Sequence, residues 1–344
     1  MITTTVCRTE IGNMAPPAAL EARMRPYQER GFAWLYRNIR AGFGSVIADD
    51  MGLGKTLQVI TALLKLKEDG RLTEAKALVI VPTSLLTNWV KEIARFAPTL
   101  TTGVFHGAGR TMPKDCPDIL LTTYGVARTE LPQLKKLLWR VLIVDEAQNI
   151  KNPTAAQTKA IKGIPTEAFI AMSGTPVENR LSEYWSIMDF ANRGFLGNLT
   201  SFNKEFVVPI QSHHDQRAVQ RFKRTTAPFL LRRLKSDKSI ISDLPDKIEQ
   251  DQYCELSPKQ AALYESVVRE SLRVIRGESD TFHRQGLVLQ MIMALKQICN
   301  HPAQYLKQGK AEAALSGKAE LFLDLLDPIV ANHEKVLVFT QFRE

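Results

Sequence analysis

Cysteine is scarce: Cys7, Cys116, Cys254 and Cys299 are spread over 344 positions with no C-x-x-C pair. That spacing excludes a disulfide framework and a zinc ribbon. Long apolar runs are also missing, and none approaches the roughly 18 residues of a membrane-spanning helix. The opening MITTTVCRTEIG lacks the basic-then-apolar order of a signal peptide. A soluble cytoplasmic protein is expected, nucleoid-associated in a bacterium or nuclear in a eukaryote, with no membrane partner. The 19 glycines and 17 prolines are too few and too dispersed for a fibrous or low-complexity chain. Acidic residues fall short of basic ones, 36 against 45, and the resulting +9 favours a polyanionic partner without identifying it.

What is present is a chain of 344 residues, 44% of them hydrophobic, long enough for about two or three domains. Short aliphatic runs at 45–48, 77–81, 118–122, 141–144 and 168–172 are separated by helical patterns such as 56–66 and 85–96. Strands alternating with helices read as βαβ units, so the first domain is α/β with a doubly wound, mainly parallel sheet. From 181 to 315 the apolar spacing becomes three and four, which predicts helices, including 258–275 and 285–298, with the Met291, Met293, Leu295 stripe as core. The run KVLVFTQF at 335–342 has the composition of a buried parallel strand and predicts the start of a second α/β domain.

The sharpest motif is Asp49-Asp50-Met51-Gly52-Leu53-Gly54-Lys55-Thr56, placed between a strand and a helix. Gly52 and Gly54 let the backbone curl so that N–H groups face a phosphate, and the helix start adds its positive dipole end. Asp50, Met51 and Leu53 complete the loop against the nucleotide, Lys55 reaches the β- and γ-phosphates, and the Thr56 hydroxyl ligates Mg²⁺. The strict G-x-x-x-x-G-K-[ST] pattern fails at its first glycine, where Asp49 stands. Further on, Asp145 and Glu146 end the 141–144 strand at the edge where open α/β sheets bind ligands. Asp145 is expected to hold Mg²⁺ and Glu146 to activate the attacking water as general base. Ser173-Gly174-Thr175-Pro176 sets two hydroxyls beside the same edge. Gln28, next to Tyr27, offers an amide for adenine.

These segments, in this order, resemble the Swi/Snf family of ATP-dependent DNA translocases within the superfamily-two helicases. The matching stretches are MRPYQ (24–28) with GFAWL, ADDMGLGKT (48–56), LVIVPTSLLTNW (78–89), LTTY (121–124), VDEAQNIKN (144–152), MSGTPVENRLSEYWSIMDF (172–190), FLLRR (229–233), LKQICNHP (295–302), SGK (316–318) and KVLVFTQF (335–342). The resemblance implies a RecA-like ATP-binding lobe over 23–195, after an N-terminal segment of 1–22, a helical insertion over 196–315, and the beginning of a second RecA-like lobe at 316–344. It implies ATP and Mg²⁺ as ligands, double-stranded DNA as partner, a protein–DNA complex as substrate, and a monomer.

It further places 82–89, the His106-Gly107 turn and 122–124 on the DNA backbone. Thr83, Ser84, Asn88, Thr122 and Thr123 are short neutral donors suited to phosphates. Arg232 and Arg233 join them from a basic stretch, 204–247, that holds ten Lys or Arg against five Asp or Glu. Trp89 reads as core, and Cys299 with His301 as packing rather than half of a metal site. The family's arginine fingers belong to a late motif with no counterpart before Glu344. Since such a finger is worth about 10³ to 10⁵ in rate, this chain alone is expected to hydrolyse ATP poorly. The rival readings are a superfamily-two RNA or DNA helicase and a non-catalytic module that binds DNA or a partner.

Overall fold

The structure, a computed structural model, describes residues 14–174, 181–241, 248–307 and 312–342. They fall in two compact units divided between positions 244 and 245. Residues 196–241, read from sequence as part of a helical insertion, therefore lie with the first unit.

The first unit is a seven-stranded sheet: β1 (Ser45–Ile47), β2 (Lys76–Val81), β3 (Thr102–Phe105), β4 (Ile119–Thr123), β5 (Trp139–Val144), β6 (Thr166–Met172) and β7 (Leu230–Leu231). Their order is β3-β4-β2-β5-β6-β1-β7 and every pairing is parallel. Helices cover both faces: α1 (Pro26–Arg40), α2 (Lys55–Glu68), α3 (Leu86–Phe96), α4 (Tyr124–Thr129), α5 (Leu131–Leu134), α6 (Ala156–Lys162), α7 (Leu181–Ala191), α8 (Leu199–Phe202), α9 (Val208–Gln211) and α10 (Gln216–Thr226). Because side chains alternate along a strand, β2 and β5 feed two cores. Val79, Val81 and Ile143 join one with α1, α2 and Trp89 of α3. Leu78, Ile80, Leu142 and Val144 join the other with Tyr124 and the aromatic residues of α7.

Two strands escape the sequence pattern. β3 is an edge strand of TGVF with Val104 half-exposed, so it lacks an apolar run. β7 is two leucines after Pro228, and it corrects the reading of 181–315 as helical throughout. Its backbone completes the exposed side of β1, pairing Val46 with Leu230 and Ile47 with Leu231, and no helix occurs among the described residues of 232–257.

The second unit holds α11 (Pro258–Gly277), α12 (Thr281–Asn300), α13 (Pro302–Leu306) and α14 (Gly317–Ala331). Ser257 and Gln260 form a capping box on α11, and the Gln260 amide donates to the Ile298 carbonyl, 2.8 Å, fastening α11 to α12. His301 caps α13, its Nδ1 accepting from the Ala303 N–H, 3.1 Å, with Nε2 3.0 Å from the Glu312 carbonyl oxygen. Both ring nitrogens are thus engaged in packing. The methionine stripe is not core, since Met293 is about half exposed. The 335–342 run forms no strand either. A parallel strand exists only through its neighbours' ladders, no strand is described in this unit to pair with, and Leu337 and Phe339 stand in solvent.

Candidate nucleotide site and DNA edge

The register of the sheet brings the motifs to one edge. Ile47 pairs with Met172 and Val144 with Ala171, the Ser173 N–H donates to the Ile47 carbonyl, 3.1 Å, and the Asp145 N–H donates to Ile80, 2.9 Å. Residues 48–56, 145–146 and 173 therefore meet at the carboxyl ends of β1, β5 and β6, where ligands of open α/β sheets bind. Thr175 and Pro176 lie outside the described residues.

The loop after β1 has the shape of a phosphate cradle. Gly52 and Gly54 have φ of +82° and +74°, a left-handed backbone that side chains resist. A Cβ on Gly54 would also stand 2.4 Å from the Gln28 amide nitrogen. Gly54 leads into α2, whose first turn carries no side-chain cap, so its leading N–H groups are left for an anion to meet. Lys55 is half-buried, and its Nζ donates to the carbonyls of Asp49, 2.7 Å, and Asp50, 3.3 Å. Burial pulls its pKa below the ordinary lysine value, against the pull of Asp49, Asp145, Glu146 and Asp50. Thr56 is half-buried on the same turn, Leu53 is buried, and Met51 projects into solvent, 71% exposed.

Gln28 is buried beneath the loop. Its Oε1 accepts from the Arg25 N–H, 2.9 Å, and its Nε2 donates to the Leu53 carbonyl, 3.3 Å. In this structure the amide that sequence reasoning offers to adenine braces the phosphate loop.

Asp145 is buried, 8% exposed. Its Oδ1 accepts from the Glu146 N–H, 2.9 Å, and its Oδ2 from the Trp89 indole, 2.8 Å. Burial pushes its carboxyl pKa above the ordinary value, with the Trp89 hydrogen bond pulling the other way. Glu146 sits in the left-handed region, φ 54°, which turns it out of the strand direction. Gln148 donates to the Glu146 carboxylate, 2.7 Å, and accepts from the Ser173 hydroxyl, 3.1 Å, so the third strand end is wired to the pair. A divalent cation with its phosphate ligands fits this donor set: one buried carboxylate facing a desolvated lysine and an uncapped helix start.

Three DNA assignments need correction. Arg233 does not face solvent; it is 6% exposed. Its guanidinium grips Asp49, 3.0 Å from Nε to Oδ1, donates to Gln58, 2.6 Å, and to the Tyr27 carbonyl, and lies over the Tyr27 ring at 5.0 Å. Thr122 is fully buried with its hydroxyl on the Phe105 carbonyl, 2.8 Å. Thr123 is buried too, its hydroxyl 3.3 Å from His106 Nδ1. Alternation along β4 gives these threonines to the sheet. Thr83 and Ser84, in a 3-10 turn over Thr83–Leu85, and Asn88 are exposed, and His106 and Arg232 are partly so. The β2–β5 ladder sets Thr83, Ser84 and Asn88 one strand away from the Asp145 end, whereas His106 after β3 and Arg232 after β7 each lie three strands from it.

Sequence reasoning missed the return of the chain over the loop. The Asp50 N–H donates to the Arg233 carbonyl, 3.0 Å, and the Lys235 N–H to the Asp50 carboxylate, 2.9 Å. Lys235 Nζ lies 2.8 Å from where a Cβ on Gly52 would be. The Arg233 basicity was visible, but its partner is distant in sequence.

The profile of the SNF2-related domain matches residues 27–304. Among curated proteins, YwqA of Bacillus subtilis, named for a provisional ATP-dependent helicase/translocase activity, is 41% identical over 332 residues, covering 94% of this chain and 36% of its own length. The TATA-binding protein-associated factor Mot1 of Saccharomyces cerevisiae is 34% identical over 328 residues, covering 87% of this chain and 17% of its own. This chain thus spans about a third of the first and a sixth of the second. The SWI2/SNF2 ATPase core of Sulfolobus solfataricus, solved with double-stranded DNA, superposes with a TM-score of 0.65 at 41% identity, over 96% of this chain and 69% of that one. The same core solved alone gives 0.64. With a RecA-like sheet, a phosphate loop and an Asp-Glu pair on one edge, the chain belongs to the SNF2-related family of ATPase domains.

Proposed function

We propose that this chain is the ATP-binding motor lobe of a Swi/Snf-type, duplex-DNA-dependent ATPase that translocates on DNA to remodel protein–DNA complexes. The observation that carries the reading is the convergence of an uncapped α2, the desolvated Lys55 and the Asp145-Glu146 pair at one sheet edge, with exposed neutral donors one strand away. Lys55 and the first N–H groups of α2 bind the phosphates, and Thr56 and Asp145 would hold the Mg²⁺. A Mg²⁺ held there would supply positive charge beside the phosphate oxygens. Glu146, oriented by Gln148, takes the proton of the attacking water. Thr83, Ser84 and Asn88 hold the DNA backbone without reading bases. Support for duplex DNA comes from the Sulfolobus core, which was solved with it.

Two variants test the assignment. Lys55→Ala is expected to abolish measurable Mg-ATP binding by calorimetry, and unchanged affinity would sink the phosphate-site reading. Glu146→Gln is expected to keep nucleotide affinity and remove DNA-stimulated hydrolysis by the intact protein. Normal turnover in that variant would take the base role from Glu146.

A further inference from the structure

Both segments assigned to DNA end in a buried aromatic residue that hydrogen-bonds the Asp145-Glu146 pair. The exposed Thr83, Ser84 and Asn88 lead to Trp89, whose indole Nε1 donates to Asp145 Oδ2 at 2.8 Å. The partly exposed His106 lies 3.3 Å from the hydroxyl of the buried Thr123, and Thr123 leads to Tyr124, whose hydroxyl donates to the Asp145 carbonyl at 2.5 Å and lies 3.3 Å from the Glu146 carbonyl. Trp89 packs in the core on one face of the sheet and Tyr124 in the core on the other, so residue 145 is held from both sides. Neither donor has a spare role in solvent, since Trp89 is 1% and Tyr124 6% exposed. Burial, with Asp145 and Glu146 adding to it, pushes the Tyr124 phenol well above its ordinary pKa, so it remains a proton donor.

We infer that Trp89 and Tyr124 are positioning residues through which DNA on the exposed 83–88 segment and at the His106 turn sets the Asp145 carboxylate and the Glu146 backbone. The inference rests on the proposed DNA reading and adds the route by which DNA reaches the nucleotide. A shift of α3 or of the β4–α4 corner cannot occur without moving a donor on Asp145, because both aromatics are locked in close-packed cores. Each donor is the rigid end of a short covalent path: Trp89 is one residue beyond Asn88, and Tyr124 follows Thr123. The coupling is therefore local and reciprocal: bound nucleotide biases the same two segments toward or away from DNA.

Coupling is measured in the intact protein as the ratio of dissociation constants for a non-hydrolysable ATP analogue with Mg²⁺, without and with saturating duplex. The wild-type ratio is expected to be about fivefold or more. Tyr124→Phe removes the hydroxyl donor and keeps the ring, whereas Trp89→Phe removes the indole N–H and also shrinks the ring. In both, the ratio is expected to fall to within about twofold of unity. DNA affinity without nucleotide, and nucleotide affinity without DNA, should each stay within about threefold of wild type, a split that general loosening of the core would not give. If Trp89→Phe does not fold cooperatively, Tyr124→Phe, whose ring volume is unchanged, carries the test. A wild-type ratio kept in a folded variant overturns the coupling alone. Wild-type protein that binds no duplex overturns the DNA reading and the coupling with it.

Discussion

Asp49 stands where phosphate loops carry a glycine, and its carboxylate is the counter-charge of the buried Arg233. Removing one member of such a pair leaves the other charged and unpaired, which costs about 3–5 kcal/mol. Asp49→Gly, the change that would complete the common loop pattern, is thus expected to lower the urea midpoint of unfolding; an unchanged midpoint would show that Asp49 does not anchor the loop. Arg233→Lys should fall between, since an ammonium cannot reproduce the forked contacts on Asp49, Gln58 and Tyr27. At this scale the glycines, Lys55 and the Asp-Glu pair were legible because their spacing is local. The partners of Asp49 and Asp145 were not: Arg233 looked like surface charge and Trp89 like simple core, because a sequence does not show which distant group a buried polar atom will meet.

At the scale of elements, the opposite end of the sheet is closed by Asp118 at the mouth of β4. Its carboxylate accepts from the Thr101 N–H, 2.9 Å, and from Lys67 of α2, 2.7 Å, while its own N–H donates to the Thr101 hydroxyl, 2.9 Å. Burial works to raise its pKa, but the Lys67 and Thr101 hydrogen bonds outweigh it and hold the carboxyl below the ordinary value. A carboxyl depressed by folding contributes stability that is present above its unfolded pKa, about 3.9, and is lost as the pH falls through the lower folded value. Asp118→Asn is therefore expected to lose about 1.5–3 kcal/mol at pH 7. The gap to wild type should narrow below about pH 4. Urea titrations at pH 7 and pH 3 check this, and a gap that widens in acid would contradict it. The strands β1, β2, β4, β5 and β6 were readable because burial on both faces demands continuous aliphatic runs. β3 and β7 were not, since one lies at an edge and the other is two residues long.

Over the whole chain the +9 charge is placed where DNA could use only part of it. Arg217, Arg221 and Arg224 are exposed on α10 and Arg232 is partly so, whereas Arg233 is internal. Duplex binding is expected to weaken with salt by about 0.9 in log K per log salt for each phosphate neutralised. Arg232→Gln should reduce that slope by at most about 0.9, and Arg233→Gln should leave it unchanged while destabilising the fold. Anisotropy titrations across salt decide this, and a salt-independent isotherm would remove DNA phosphates as the partner. The tie between Asp49 and Arg233 spans 184 positions, and that separation sets a clock on biosynthesis. A ribosome adding about 5–20 residues per second needs about 9–37 seconds to make the intervening stretch. During that interval β1 has an open edge and Asp49 has no counter-ion, so the nascent lobe emerges without a finished grip on phosphate. Nucleotide capture is therefore expected only after 230–235 have left the exit tunnel, with the incomplete sheet edge the surface that needs shielding in the meantime.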